Sequence, residues 1–348
     1  MTLILFILIL GIIIFIHELG HFLFAKKAGI YVYEFALGMG PTIYKRKSKN
    51  GETIYSLHLI PIGGFCSLAG EGNEGDGKVP KERLLQNKSL WQRFLTLFCG
   101  PGFNFILALF LLFMIGLCFG SVKMDPIITS VVTSSPSASA GISNGDRVLE
   151  INHHKISTVD DVALYLAINN NHKDTEFVVK KANGTKETYH VTPTTEKDKK
   201  GNDIYHYGIN LSQEKDHGFF AAIRYMIQKT ASLFKQMWVT ITSLFTGGIK
   251  VNQLSGPVGI YSIVGEQSKS GFANILYLIA FLSINVGFIN LLPIPAFDGG
   301  HIMFLIIEKI KGSPIKAETE NMIHNIGFFL LMILMIYITF NDIFRLFS

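Results

Sequence analysis

Residues 2–27 read TLILFILILGIIIFIHELGHFLFAKK, and this stretch decides the fold. The first sixteen residues of the chain carry no charge, and the run is close to the ~20 apolar residues that cross a bilayer. Set into its inner end is His17-Glu18-Leu19-Gly20-His21. On a helix, residues four apart lie on one face, so His17 and His21 can offer imidazole nitrogens to a single metal ion. Glu18, one step round, is placed to take a proton from a water beside that metal. The five-residue pattern recurs by chance in many chains. A carboxylate and two imidazoles inside an apolar span are another matter, because burying them without a partner is costly. A pair of helix-packing histidines with a snorkelling glutamate is the weaker alternative. The segment has no basic leader and no small-residue cleavage site, so it is expected to stay in the mature protein.

The rest of the composition agrees with a membrane protein. Of 348 residues, 49% are hydrophobic and 16% charged, with a mean hydropathy of +0.35. These values fit a polytopic chain with one polar insert. The net charge of +5 is dispersed among acids, with no basic groove interleaved with aromatics, so a nucleic-acid partner is not expected. Cys66, Cys99 and Cys118 show no Cys-x-x-Cys spacing, which argues against a disulfide framework or thiolate metal site.

Four spans are predicted, at 2–25, 94–119, 272–293 and 322–340. A polar stretch at 121–216, with strand-like runs at 127–132, 147–151, 176–180 and 189–191, reads as one soluble domain. Residues 218–244 are apolar but punctuated by Arg224, Lys229 and Lys235, and are read as amphipathic helices lying at the outer surface. Lys26, Lys27, Lys81, Arg83, Lys88 and Arg93 crowd the loop between the first two spans. That loop should be cytoplasmic, leaving the N-terminus and the polar domain outside. At ~1.5 Å per residue the metal motif then lies nearer the cytoplasmic leaflet.

A third protein ligand is needed. The best candidate is Asp298, in Asn290-Leu-Leu-Pro-Ile-Pro-Ala-Phe-Asp298-Gly-Gly-His301, at the same depth as the histidines. Pro293 and Pro295 prevent regular helix, and Gly299 and Gly300 allow another backbone to approach closely. His301 and His58 are weaker rival ligands. In the cytoplasmic loop, 41–47 and 52–59 alternate around Lys49-Asn50-Gly51, a hairpin signal. The Gly-rich return through Gly63 and Gly64 could offer an edge on which a substrate adds as a strand.

Together these motifs resemble the site-2 protease family of intramembrane zinc metalloproteases, in the bacterial regulator-of-sigma-E-protease branch that carries a PDZ domain. The resemblance rests on H-E-x-x-H, on the match of 290–299 to N-x-x-P-x-x-D-G, on Gly100-Pro101-Gly102-Phe103-Asn104, and on Ser255-Gly256-Pro257-Val258-Gly259. Ser135-Pro136 through Asn152 is similar to a bacterial PDZ signature. Phe297 departs from the usual Leu, and Phe65-Cys66-Ser67-Leu68 from a more basic stretch. The resemblance implies a polytopic α-helical membrane protein of about four transmembrane helices, with a membrane-associated β-hairpin loop and one inserted soluble PDZ domain of α+β type. The regions would be 1–121, 122–212 and 213–348. It implies Zn2+ held by His17, His21 and Asp298, Glu18 as catalytic acid/base, and Asn285 and Asn290 near the substrate; the Gly-rich return adds Gly63 and Gly64 as expected substrate contacts. Implied partners are single-pass transmembrane proteins already trimmed outside, such as anti-sigma factors, or remnant signal peptides, in the bilayer of a bacterial cell membrane. Alternatives are a catalytically inactive PDZ scaffold and a membrane metal-binding protein.

Overall fold

The computed structural model describes residues 1–71, 76–169, 174–197, 203–249, 251 and 254–347. Parts of the expected insert, 170–173 and 198–202, lie outside the described residues. The chain divides into two units, 1–111 with 255–343, and 112–254 with 344–348.

In chain order the elements are α1 (Thr2–Lys27), β1 (Val32–Lys47), β2 (Ile54–Leu68) and α2 (Leu90–Phe119). Then come β3 (Ser121–Val122), β4 (Ile128–Val131), α3 (Pro136–Ala140), β5 (Arg147–Ile151), β6 (His154–Lys155) and α4 (Val159–Ala167). β7 (Thr175–Lys180), β8 (Lys186–Val191), β9 (Thr194–Lys197), β10 (Asp203–His206), β11 (Ile209–Leu211) and β12 (Lys215–Asp216) follow. The chain continues with α5 (Phe219–Thr246), α6 (Pro257–Gln267), α7 (Phe272–Leu291), α8 (Asp298–Lys311) and α9 (Ala317–Phe347). Among the described residues, α1, α2, α7 and most of α9 are long and apolar enough to cross a membrane. These are the four expected spans, each longer or shorter by a few residues. On α9, Phe328, Phe329, Leu330, Ile333, Ile336 and Tyr337 are more than half exposed, a continuous apolar surface of the kind that lipid covers.

In the first unit β1 and β2 pair antiparallel, but each bends midway. Glu34–Leu37 is paired with Gly64–Ser67 on one side and with Ile54–Leu57 on the other, while Tyr44–Lys47 pairs with Leu57–Ile54. The two strands thus give four segments in the order 44–47, 54–57, 34–37 and 64–67. The bend in β1 uses Gly38 (φ +83°) and Gly40 (φ +85°), and a side chain at Gly38 would meet the Ile60 carbonyl oxygen at 2.6 Å. The hairpin expected around Asn50-Gly51 is present, but both strands are longer than the alternation indicated and the loop is wider than a two-residue turn. It closes by Ser48 N–H to the Thr53 carbonyl at 2.8 Å, while the Ser48 hydroxyl accepts from the Glu52 and Thr53 amides. The wider loop needs positive φ only at Gly51.

The Ser255–Gly259 motif starts α6. Pro257 takes the first helical position, where its missing N–H costs nothing. Asp342, buried on α9, accepts the Gly259 N–H at 2.8 Å. Side chains at Gly256 and Gly259 would meet that carboxylate at 2.9 and 3.2 Å. The glycines are there so that a buried carboxylate can cap the helix from a neighbouring element.

The second unit holds a four-stranded sheet, β6-β5-β7-β8, and the pairs β4–β11, β9–β10 and β3–β12. Phe177, Val148, Ile151 and Ile128 are at the centre of its core. The Ser135–Gly141 stretch forms α3, with Ser135 capping the Ala138 amide and Gly141 left-handed at the end. Thr158 and Asp161 form a capping box on α4. The reading of 218–244 as several helices is corrected: it is the single helix α5, and it is not among the four long apolar ones. Its punctuating cations have partners in the insert, Arg224 on Asp125 at 3.0 Å, Lys229 on Asp160 at 2.7 Å and Lys235 on Asp161 at 3.0 Å. Charge pairing with the polar domain set those positions.

Asp342→Ala should leave the Gly259 amide of α6 without its acceptor, costing about 1–3 kcal/mol. Thermal unfolding in detergent should therefore fall for Asp342→Ala and recover in Asp342→Asn, which keeps an acceptor. Equal stability of all three proteins would contradict the capping role.

Candidate metal centre

His17 and His21 lie one turn apart on α1, both buried, with their Nε2 atoms 3.2 Å apart. Each ring is held from behind. His21 Nδ1 lies 2.8 Å from the Thr96 carbonyl oxygen, so Nδ1 carries the proton and Nε2 presents its lone pair. His17 Nδ1 lies 3.3 Å from the Asn104 side-chain amide, and Asn104 Oδ1 is buried without a hydrogen-bond partner. Turning that amide by 180° sets Oδ1 against His17 Nδ1–H. This is the orientation that satisfies the orphaned oxygen and frees His17 Nε2 as a ligand atom.

Asp298 is the first residue of α8, behind an N-cap at Phe297, where an acidic side chain could turn to the free amides of its own helix. Its carboxylate points instead at the histidines, Oδ2 3.2 Å from His17 Nε2 and Oδ1 3.5 Å from His21 Nε2. Oδ2 is buried with no hydrogen-bond partner. As a ligand Asp298 would serve as the carboxylate, the form a cation needs, and a cation would reconcile it with the two imidazole nitrogens it faces.

The three separations can be compared with coordination geometry. Tetrahedral zinc with bonds of about 2.0–2.1 Å spaces its ligand atoms roughly 3.3–3.4 Å apart. Separations of 3.2, 3.2 and 3.5 Å match that spacing. Two imidazoles and one carboxylate are also the donor set of a catalytic zinc site with an open fourth position. Glu18 stands outside the ligand set. Its carboxylate accepts the Cys66 backbone N–H, and a side chain at Gly64 would lie 3.5 Å from its Cγ.

Glycines let these parts meet. A Cβ on Gly20 would lie 2.1 Å from the Cys99 carbonyl oxygen, and one on Gly100 would lie 2.1 Å from His21 Nε2. α1 and α2 therefore cross in near backbone contact, with the His21 ring against bare main chain. Gly299 and Gly300 accept the carbonyls of Leu291, Leu292 and Ile294 in the same way, which folds the Pro293–Pro295 loop back onto α8. Ser283 on α7 donates to the Asn104 carbonyl at 2.8 Å, and Gly287 meets Phe105 and Pro101. The break after α7 thus places Asp298 opposite α1.

Of the residues singled out in the sequence, His17, His21 and Asp298 come together, with Glu18 and Gly64 alongside. Gly63, at φ +94°, turns the strand beneath Met39. Asn290 donates back to the Val286 carbonyl of its own helix, while Asn285 Oδ1 is buried with no hydrogen-bond partner. The rivals lie elsewhere: His58 bonds the Gly40 carbonyl at 2.7 Å, and His301 pairs with Glu320. Sequence reasoning assigned no role to Thr96 or Asn104. Asn104 was within reach, because it ends the Gly100–Asn104 motif. Thr96 acts through its carbonyl, which no side-chain pattern reveals.

The model of peptidase family M50 matches residues 5–334. The regulator of sigma-W protease RasP of Bacillus subtilis is 34% identical, with 99% of each chain covered. The zinc metalloprotease RasP of Bacillus licheniformis is also 34% identical over 99% of each chain, and the probable protease eep of Enterococcus faecalis 33% over 99% of each. With a His-His-Asp cluster beside four long apolar helices and matches of this extent, the chain belongs to peptidase family M50, the site-2 proteases, and is a zinc metalloprotease of the membrane.

Proposed function

We propose that this protease hydrolyses peptide bonds within membrane-spanning segments of single-pass proteins, with His17, His21 and Asp298 holding the zinc and Glu18 moving the proton. The observation that carries the proposal is the convergence of three ligand atoms at tetrahedral spacing, two of them from α1, a helix apolar enough to span a bilayer, and the third from the start of α8. Zinc held there supplies a Lewis acid for the scissile carbonyl and for the attacking water. Glu18 takes the proton from that water and delivers it to the leaving amine. Thr96 and Asn104 hold the imidazoles still while charge moves.

A membrane-spanning helix hides its peptide bonds in its own hydrogen bonds, so it must be unwound before it is cut. Segment 64–67 of β2 is one of the two outer hairpin segments, and it is the one that runs beside Glu18. A substrate strand added at this edge would lie extended next to the proton shuttle, with Gly63 and Gly64 leaving room for its backbone and Asn285 and Asn290 available to it. The Bacillus subtilis relative is named for a regulator of sigma-W. Anti-sigma factors already trimmed outside are a substrate class in keeping with that name; remnant signal peptides are the other class of short membrane-spanning segment we propose. A scaffold or metal-storage role has no use for a glutamate placed beside the ligands.

We assign the insert at 122–212 as a PDZ domain on the outer face of a bacterial cell membrane, where it filters substrates by size. The support is its signature stretch, with Ser135 and Gly141 capping α3 ahead of a buried β5, together with the basic loops of the first region.

Glu18→Gln should keep the metal and the fold but lower the rate of cleavage at least about 10²-fold, since an amide cannot shuttle a proton. Turnover of a transmembrane substrate in detergent, with zinc measured on the same sample, checks this; near-normal turnover would remove Glu18 from the mechanism. Replacing 122–212 by a flexible linker should leave zinc in place and admit substrates that still carry bulky external domains. If the shortened protein instead keeps its zinc but no longer cleaves trimmed substrates, the insert is a required dock and the filter assignment is wrong.

A further inference from the structure

A second group of metal-capable side chains gathers on α8 and α9. His301, Glu320 and His324 each offer one ligand atom within 4.8 Å of the others. Two features argue against a chelate. The His301 and His324 rings are stacked, with centroids 3.8 Å apart and planes 14° from parallel. Their in-plane lone pairs therefore run side by side instead of meeting at an ion about 2.0–2.1 Å from each nitrogen. His324 Nδ1 also accepts the Ala296 backbone N–H at 2.9 Å, which places the proton of a neutral ring on Nε2, where a metal would need a lone pair.

The same hydrogen bond shows what the cluster does. Ala296 precedes Asp298 by two residues and sits at φ +79°, a left-handed conformation that an alanine keeps only where its surroundings hold it. One hydrogen bond from α9 holds it directly, and two further contacts on α8 and α9 brace that bond and the neighbouring Pro295. His324 takes its amide proton. One turn along α9, Gly327 lies so close to the loop that a Cβ would meet Pro295 Cβ at 2.5 Å and its carbonyl oxygen at 2.8 Å. His301 stacks on the His324 ring and hydrogen-bonds through Nδ1 to Glu320 Oε1 at 3.1 Å, and Glu320 lies one turn before His324. Ring, stack and carboxylate together fix where His324 Nδ1 points.

We infer that His324 is a positioning residue for the zinc site, its Nδ1 acceptor holding the Ala296 loop in the conformation that aims Asp298 at His17 and His21. This rests on the proposed ligand set. The cluster binds no metal of its own; it fixes the backbone behind the third ligand from a different helix, as outer-shell partners do for zinc-bound side chains.

The test compares side chains that keep or lose an acceptor at the Nδ1 position. In His324→Asn, Oδ1 stands where Nδ1 does; in His324→Gln the carbonyl reaches the Nε2 position instead; His324→Phe keeps a ring with no acceptor. On the full-length protein in detergent, zinc affinity is read by chelator competition, the visible absorption of the cobalt(II) form is recorded, and unfolding temperatures are measured alongside. His324→Gln and His324→Phe should weaken zinc about 10- to 100-fold and shift the cobalt bands, while His324→Asn stays close to wild type. Wild-type zinc affinity in His324→Gln, or equal weakening in the Asn and Gln variants, would overturn the inference. If His324→Phe does not fold, the Asn and Gln pair decides. Asp298→Ala separates the two levels: full zinc affinity there would overturn the ligand set itself, whereas loss there with wild-type affinity in His324→Gln would overturn the positioning role alone.

Discussion

Two imidazole nitrogens and a carboxylate, aimed at one point from 3.2–3.5 Å apart within an apolar bundle, form an arrangement that a cation stabilises and its absence destabilises. Without one, a buried anion and two nitrogens face each other with little water to screen them. Much of the architecture of the first unit follows from bringing those three atoms together. His17 and His21 come from one helix by simple periodicity. Asp298 must arrive from the far end of the sequence, which requires α7 to stop, the chain to reverse over Pro293–Pro295, and α8 to begin at Asp298 itself.

Such a reversal exposes main-chain groups where water is scarce, and the structure answers each exposure locally. Gly299 and Gly300 leave room for the returning carbonyls and His324 accepts the Ala296 N–H; away from the reversal, Asp342 likewise accepts the Gly259 N–H in the first turn of α6. Close helix crossings use the same economy of volume: Gly20 and Gly100 remove the side chains that would separate α1 from α2. The close approach lets the Thr96 carbonyl reach His21, so packing and ring orientation are one event. In a bilayer these are the means available, because an unsatisfied polar group there costs several kcal/mol.

The legible part of this design is the part written in side chains at fixed spacing. His17, Glu18 and His21 announce themselves by helical period inside an uncharged run, and Asp298 by its prolines and glycines. The four long helices follow from hydropathy alone. What stayed hidden acts through backbone or through tertiary partners. Thr96 contributes a carbonyl, and the bends that turn β1 and β2 into four segments depend on Gly38, Gly40 and Gly63 being read as bends instead of strand breakers. α5 looked like several surface helices because Arg224, Lys229 and Lys235 seemed to interrupt it; their partners Asp125, Asp160 and Asp161 are distant in sequence. His301 was weighed as a ligand, but its stacking partner lies on another helix, beyond the reach of any local pattern.

The central claim is that zinc sits among His17, His21 and Asp298 and not at a thiolate, although Cys66 and Cys99 lie close by: the Cys66 amide bonds Glu18, and the Cys99 carbonyl abuts Gly20. X-ray absorption at the zinc edge of the purified protein tests this directly. The account predicts about four nitrogen and oxygen scatterers at about 2.0–2.1 Å, with the outer-shell signature of two imidazoles. A sulfur scatterer at about 2.3 Å, or a spectrum without imidazole, would contradict it.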